Sequence, residues 1–192
     1  MTLDNTGTEI ADYAWQPDAV TCQAAAIAKK LGKSSAEDIQ EIRQDLLDIA
    51  RPSGAMAGST WVMGEYLKPK VKEYRFSSNA NLVDIAEWVE QGPGFECIIH
   101  GVTTGSGHVW GIEDVSVYTE TKLSFVCDDP WAEFDFPRNR YLNKSGKNVV
   151  YSGLAIWAYC VKSFDNATAY YLYKNGEMSR LDRGAWVHFI RN

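Results

Sequence analysis

The sequence predicts an α+β fold, with an N-terminal helical half packed on an antiparallel β-sheet. Two observations carry this. Apolar residues recur at helical spacing between roughly residues 22 and 90, interrupted by Gly and Pro. From about residue 95 onward, segments rich in β-branched and aromatic residues alternate with Gly or polar turns. Helices first and strands second place the chain in the α+β class, and short polar connections make antiparallel pairing natural.

The elements follow in order. Thr21 is positioned to cap an Ala-rich helix from Cys22 to Leu31 that Gly32 closes. Ser35 with Asp38 resembles a capping box for a second helix, in which Ile39, Ile42, Leu46 and Ile49 share a face. Pro52, Gly54 and Gly58 break the pattern before a third helix over Ser59 to Leu67, ended by Pro69. Asn79 or Asn81 caps a fourth, LVDIAEWVEQ, and QGPG stops it. FECIIHG, HVWGIEDVSVY and KLSFVCD read as strands. VVYSGLAIWAYCVKSF and the tail TAYYLYKNGEMSRLDRGAWVHFI read as further β-structure, with KNGE as a hairpin signal. The expectation is one domain over 1–192, with a core at about 13–164 and a C-terminal β-hairpin extension at 165–192.

Composition excludes several function classes. The 192 residues carry a formal net charge of −6, and no dense Lys/Arg cluster offers a phosphate footprint, which argues against nucleic acid as a partner. No apolar stretch approaches the roughly 20 residues of a membrane helix, so no span is expected. The first residues show neither a basic segment nor an apolar one, so the expectation is cytoplasmic synthesis without a signal peptide. Cys22, Cys97, Cys127 and Cys160 are widely separated; a reducing compartment favours free thiols over two disulfides. Neither CxxC nor HExxH occurs, so no metal site and no cofactor are expected.

Chemistry concentrates in a few positions. Backbone amides at a helix N-terminus favour negative charge, and a cysteine opening a helix, as Cys22 does, is placed to act as a nucleophile. His108 follows a glycine-rich turn and starts a strand, from whose end it can project. His100 is a rival, and His188, within WVHFI, reads as structural. Asp129 precedes Pro130, which halts the strand and leaves a carboxylate at its end. A tight hairpin between HVWGIEDVSVY and KLSFVCD brings His108 beside Asp129. Asp128 is the alternative, although strand alternation points it to the opposite face. Trp110, Trp131 and Trp157 form either an aromatic wall against substrate, with Trp110 and Trp131 as the substrate-binding pair, or core. Glu113 and Asp114 suit either a cationic substrate group or a solvated strand end.

The order Gln16, Cys22, His108, Asp129 resembles the papain-like cysteine peptidases. More narrowly, TCQAAAIAKKLG, GHVWGIEDV and VCDDPWAEFDF through NVVYS resemble the C39-like peptidase family, in a likeness covering roughly residues 13 to 157. Gln23 departs from the Gly or Asn common after the family's nucleophile. The resemblance implies a papain-like fold, a Cys22–His108–Asp129 triad, and Gln16 with the Cys22 N–H as oxyanion donors. It implies hydrolysis of a peptide amide, with a peptide or a bacterial cell-wall stem peptide as substrate. Delivery to the wall or carriage by a phage particle goes with it. Two other accounts use the same residues: a non-catalytic binding or inhibitory module, and an acyltransferase or transglutaminase-type use of the triad. The oligomeric state is open.

Overall fold

The computed structural model describes residues 21–192 as a mixed α+β arrangement built on one six-stranded antiparallel sheet. Helices α1 (Cys22–Lys30), α2 (Ala36–Ala50) and α3 (Thr60–Leu67) come first. Strand β1 (Glu73–Ala80) and helix α4 (Leu82–Val89) follow. Then come β2 (Phe95–Gly101), β3 (His108–Tyr118), β4 (Leu123–Asp128), the two-residue strands β5 (Phe134–Asp135) and β6 (Arg140–Tyr141), and β7 (Val149–Ser152). The short helix α5 (Gly153–Ile156) runs into a π-helical turn over Trp157–Val161, and α6 (Asn166–Asn175) precedes β8 (Ala185–Arg191). The sheet order is β1-β8-β2-β3-β4-β7.

Local chemistry accounts for the helix starts. Ser35 accepts a hydrogen bond from the Asp38 N–H, and Asn81 forms a reciprocal capping box with Asp84. Alternation in the strands then divides the apolar side chains between two cores. On one face, α1 to α3 pack their Ala, Ile and Leu side chains over Ile98, Val109 and Ile190. On the other, α4, α5, the π turn and α6 cover Cys97, Trp110, Ile112, Phe125, Val187 and Phe189. The N-terminal helices therefore cover one side of the sheet, and later helices cover the other.

The structure differs from the sequence-based expectation mainly after Ser152. The stretch after Val149–Ser152 is helical, because Ser152 caps the turn through the Ala155 N–H and an apolar run follows. Residues 165–192 are no hairpin extension. Asp165 accepts from the Thr168 N–H and starts α6, which overrides the β-propensity of its three tyrosines. KNGE ends that helix, with the Gly176 N–H bonded to the Leu172 carbonyl, and turns no hairpin. The last strand, β8, enters the middle of the sheet between β1 and β2. Asn166 ties α6 to the carbonyls of Val102 and Thr103. Strand β1 was not anticipated; only Tyr74, Phe76 and Ala80 give it an apolar side.

Candidate active site

The hairpin register creates the first half of the site. Gly101 of β2 pairs with His108 at the start of β3, and Gly111 of β3 pairs with Asp128 at the end of β4. The chain enters β3 through Gly107 at φ +84°, a conformation in which a side chain is strained, and this turn sets His108 at the strand's first position. Asp129 lies one residue beyond β4, on the face shared with Phe125 and Cys127. Its carboxylate Oδ1 is 2.7 Å from His108 Nε2, and both side chains are sealed from solvent. Asp129 also accepts from the Trp131 N–H at 3.1 Å and from the Tyr151 hydroxyl at 3.0 Å. Burial and the neighbouring Asp129 charge push the Tyr151 phenol up, so it stays a donor. These contacts fix the carboxylate, and with it the plane of the imidazole.

The other neighbour acting on the His108 ring is Cys22, whose interaction with the imidazole raises its pKa. With Nε2 committed to Asp129, the ring nitrogen left for the sulfur is Nδ1. Cys22 is the first residue of α1, where the opening N–H groups lack intrahelical acceptors. The Thr21 side chain makes no capping bond there. Burial alone draws the His108 pKa down. The Asp129 charge and hydrogen bond, with the Cys22 hydrogen bond and charge, outweigh it and push the value up to about 10. His108 is thus a cation at neutral pH, lodged between a carboxylate and a sulfur.

All four cysteines are free thiols. Burial pushes Cys97, Cys127 and Cys160 well above the ordinary thiol range, which leaves those three protonated and inert. Cys22 alone has an imidazolium beside it.

A cleft of about 290 Å³ opens next to this constellation. Gln23, His100 and His108 contribute polar lining, and Met56, Phe164 and Trp186 form apolar walls. Gly58 packs so closely on the Gln23 side-chain amide that no Cβ fits between them, which seats Gln23 at the cleft beside Cys22. The π turn places Cys160 at the same cleft.

Other sequence-level candidates find different places. Asp128 faces α1, 3.1 Å from Lys29 Nζ, and takes the Asn148 N–H at 2.7 Å. It does not touch His108. Trp110 is 0% exposed and packs in the core beside His108, ring centroids 5.8 Å apart, so it cannot contact substrate. Alternation explains this, since Trp110 shares its inward face with Ile112. Trp131 is half-buried beside Tyr141 and does not line the cleft. Trp157 is core. Glu113 pairs with Lys29 and Lys30, so it is no free anionic contact for a substrate. Gln16 lies outside the described residues. His100 is engaged by His188 and does not serve as the partner of Cys22. The signal that sequence reading missed is this His100–His188 pair, 88 residues apart and joined only by the placement of β8.

Among the described residues, no group of three His, Cys, Asp or Glu side chains could hold a metal ion, and no helix is long and apolar enough to cross a membrane. No family model, no curated protein and no solved structure matches the chain.

Proposed function

We propose that the protein is a cysteine peptidase of papain-like, C39-like type that hydrolyses a peptide amide. The observation that supports this reading is the contiguous set Cys22–His108–Asp129, in which a buried histidine is held cationic against a sulfur at a helix N-terminus. Core packing does not account for it, because a buried imidazolium carries a desolvation penalty that only its specific partners offset.

On this reading the reaction is nucleophilic catalysis through a thioester. The Cys22 sulfur attacks the carbonyl carbon, and the developing oxyanion takes hydrogen bonds from the backbone N–H of Cys22 and from Gln16 as the family resemblance implies. His108 gives its proton to the leaving amine as the carbon–nitrogen bond breaks, which leaves a thioester. A water then yields a proton to His108, its oxygen attacks the thioester, and the sulfur departs with the carboxylic acid product released. Asp129 holds the imidazole in register throughout. The expected biological setting is a peptide or wall-stem substrate met in bacteria or on a phage particle.

Two measurements test the reading. Iodoacetamide at pH 7 should modify Cys22 at least tenfold faster than the other three cysteines, read by peptide mass spectrometry. Any peptide cleaved by the wild type should remain intact with Cys22→Ala. Equal labelling of the four thiols, or cleavage that survives Cys22→Ala, overturns the proposal. Cross-linked in place of hydrolysed products would assign the same triad to acyl transfer.

A further inference from the structure

A second histidine cluster adjoins the cleft, and the chemistry above does not use it. On the sheet face that carries α1 to α3, Tyr74 of β1, His188 of β8 and His100 of β2 form a diagonal chain across three neighbouring strands. The Tyr74 hydroxyl is 2.8 Å from His188 Nδ1, and His188 Nε2 is 3.0 Å from His100 Nε2. The registers Phe76↔His188 and Ile98↔His188 explain the reach, since each contact spans one diagonal step between paired strands. His188 is 0% exposed, while His100 lines the cleft that also holds His108.

Burial first, and the Glu65 charge second, push the Tyr74 phenol up to about 12, so the hydroxyl keeps its proton. The hydroxyl packs against Gly64, where not even a Cβ fits, and among the described residues the polar partner it meets is His188. Tyr74 O–H therefore donates to His188 Nδ1. Burial lowers the pKa of both imidazoles, and neither takes a second proton at neutral pH. His188, accepting at Nδ1, carries its proton on Nε2 and donates it to His100 Nε2. His100 must then hold its own proton on Nδ1, the nitrogen the pair leaves unused.

We propose that His100 is a specificity residue of the candidate active site: it presents a fixed, neutral Nδ1–H donor to the cleft and binds a main-chain carbonyl of a peptide substrate. The side chain next to that carbonyl is large and apolar, because Met56 and Phe164 stand 79% and 80% exposed around the cleft and Trp186 43% exposed beside His100. Tyr74 and His188 are positioning residues that set the direction of the donor. The inference rests on the peptidase reading and narrows it away from stem peptides built of small or acidic residues.

The experiment has two arms on the full chain. In the first, ¹⁵N–¹H spectra of the three histidine rings are assigned with His100→Leu and Tyr74→Phe. His100 should show the Nδ1–H tautomer and His188 the Nε2–H tautomer. In Tyr74→Phe the direction should be lost, with His100 populating both tautomers. A wild-type His100 protonated on Nε2 overturns the proposal. In the second arm, a random decapeptide library is digested and the cuts are read by mass spectrometry. Bulky apolar residues should be enriched near the scissile bond. For the best peptide, His100→Leu should lower kcat/KM roughly three- to tenfold, carried by KM, as expected for one neutral hydrogen bond. Replacing the substrate's carbonyl by a thioamide should weaken the wild type and leave His100→Leu unaffected. A cutting wild type with no such enrichment, or with an unchanged kcat/KM in His100→Leu, overturns this inference alone. A wild type that cuts no peptide, with Cys22 no more reactive than its fellows, overturns the peptidase reading and this substrate class together.

Discussion

His108 Nε2 and Asp129 Oδ1 lie 2.7 Å apart with neither side chain open to solvent, and this contact decides the charge of the imidazole. A buried histidine with no carboxylate against it is neutral, as His188 is between Tyr74 and His100. His108 is cationic because Asp129 stands against one edge of its ring and Cys22 against the other. Asp129→Asn should therefore move the His108 titration from about pH 10 to a pH about 1–3 lower, read from the ring proton shifts by NMR. The sign for stability follows. The native value lies above the ordinary histidine value of about 6.5, so the contribution is complete below that pH and is lost as pH rises through about 10. Urea stability of the wild type should fall across this window more steeply than that of Asp129→Asn. Equal slopes would mean that Asp129 does not set the charge.

The adjacent aspartate provides a control. Asp128 is paired with Lys29, which is partly exposed, and holds the Asn148 N–H, an interaction an asparagine side chain can still make. Asp128 is only 4% exposed, so Asp128→Asn should lower stability by about 1–3 kcal/mol, yet it should leave the alkylation rate of Cys22 unchanged. Asp129→Asn should lower that rate at least tenfold. The comparison is read from the same labelling time course on both variants, and a slowed Asp128→Asn would reverse the assignment.

This distinction is legible in the sequence, because alternation sends Asp128 and Asp129 to opposite faces and a hairpin has a local register. Cys22 at its helix start and the Gly107 turn before His108 were legible for the same reason: the cues lie within a few residues of the atoms concerned. What escaped was long-range or overridden. Nothing near His188 announces that β8 will slip between β1 and β2 and bring it against His100. In α6, three tyrosines suggested strand, while the Asp165 cap on Thr168 was the stronger, shorter-range signal. Trp110 was read as a possible substrate contact, yet its parity with Ile112 had already assigned it to the core.

Tyr151 extends the site into the second core. Its hydroxyl donates to Asp129 Oδ2 at 3.0 Å and accepts from the Phe134 N–H at 2.9 Å, and all three groups are buried. Tyr151→Phe keeps the ring but strands a buried acceptor and a buried donor. The expected loss is about 1–3 kcal/mol of unfolding free energy, measured by urea titration, together with slower Cys22 alkylation as Asp129 loses one of its anchors. Unchanged stability would show that water replaces the hydroxyl.

Lys30 offers a test of the fold separate from the chemistry. Its side chain is wholly buried, with Nζ 2.9 Å from Glu96 and 3.3 Å from Glu113, and it fits only because Gly111 leaves room where a Cβ would press on its terminal atoms. Burial opposes the charge, but the two carboxylates outweigh it and raise the ammonium pKa. Lys30→Ala removes the cation, takes from Glu96 its ammonium partner, leaves Glu113 with Lys29 alone and opens a cavity. The penalty should be about 3 kcal/mol, at the low end for a broken buried pair because each carboxylate side chain is about a fifth exposed. Lys30→Met fills the space without the charge and should restore part of the loss; adding Glu113→Gln should restore more. Throughout this series Cys22 should keep its wild-type alkylation rate in the folded protein, since Lys30 touches neither His108 nor Asp129. A fall in that rate at full native content would show that the buried charge network also sets the charge on His108.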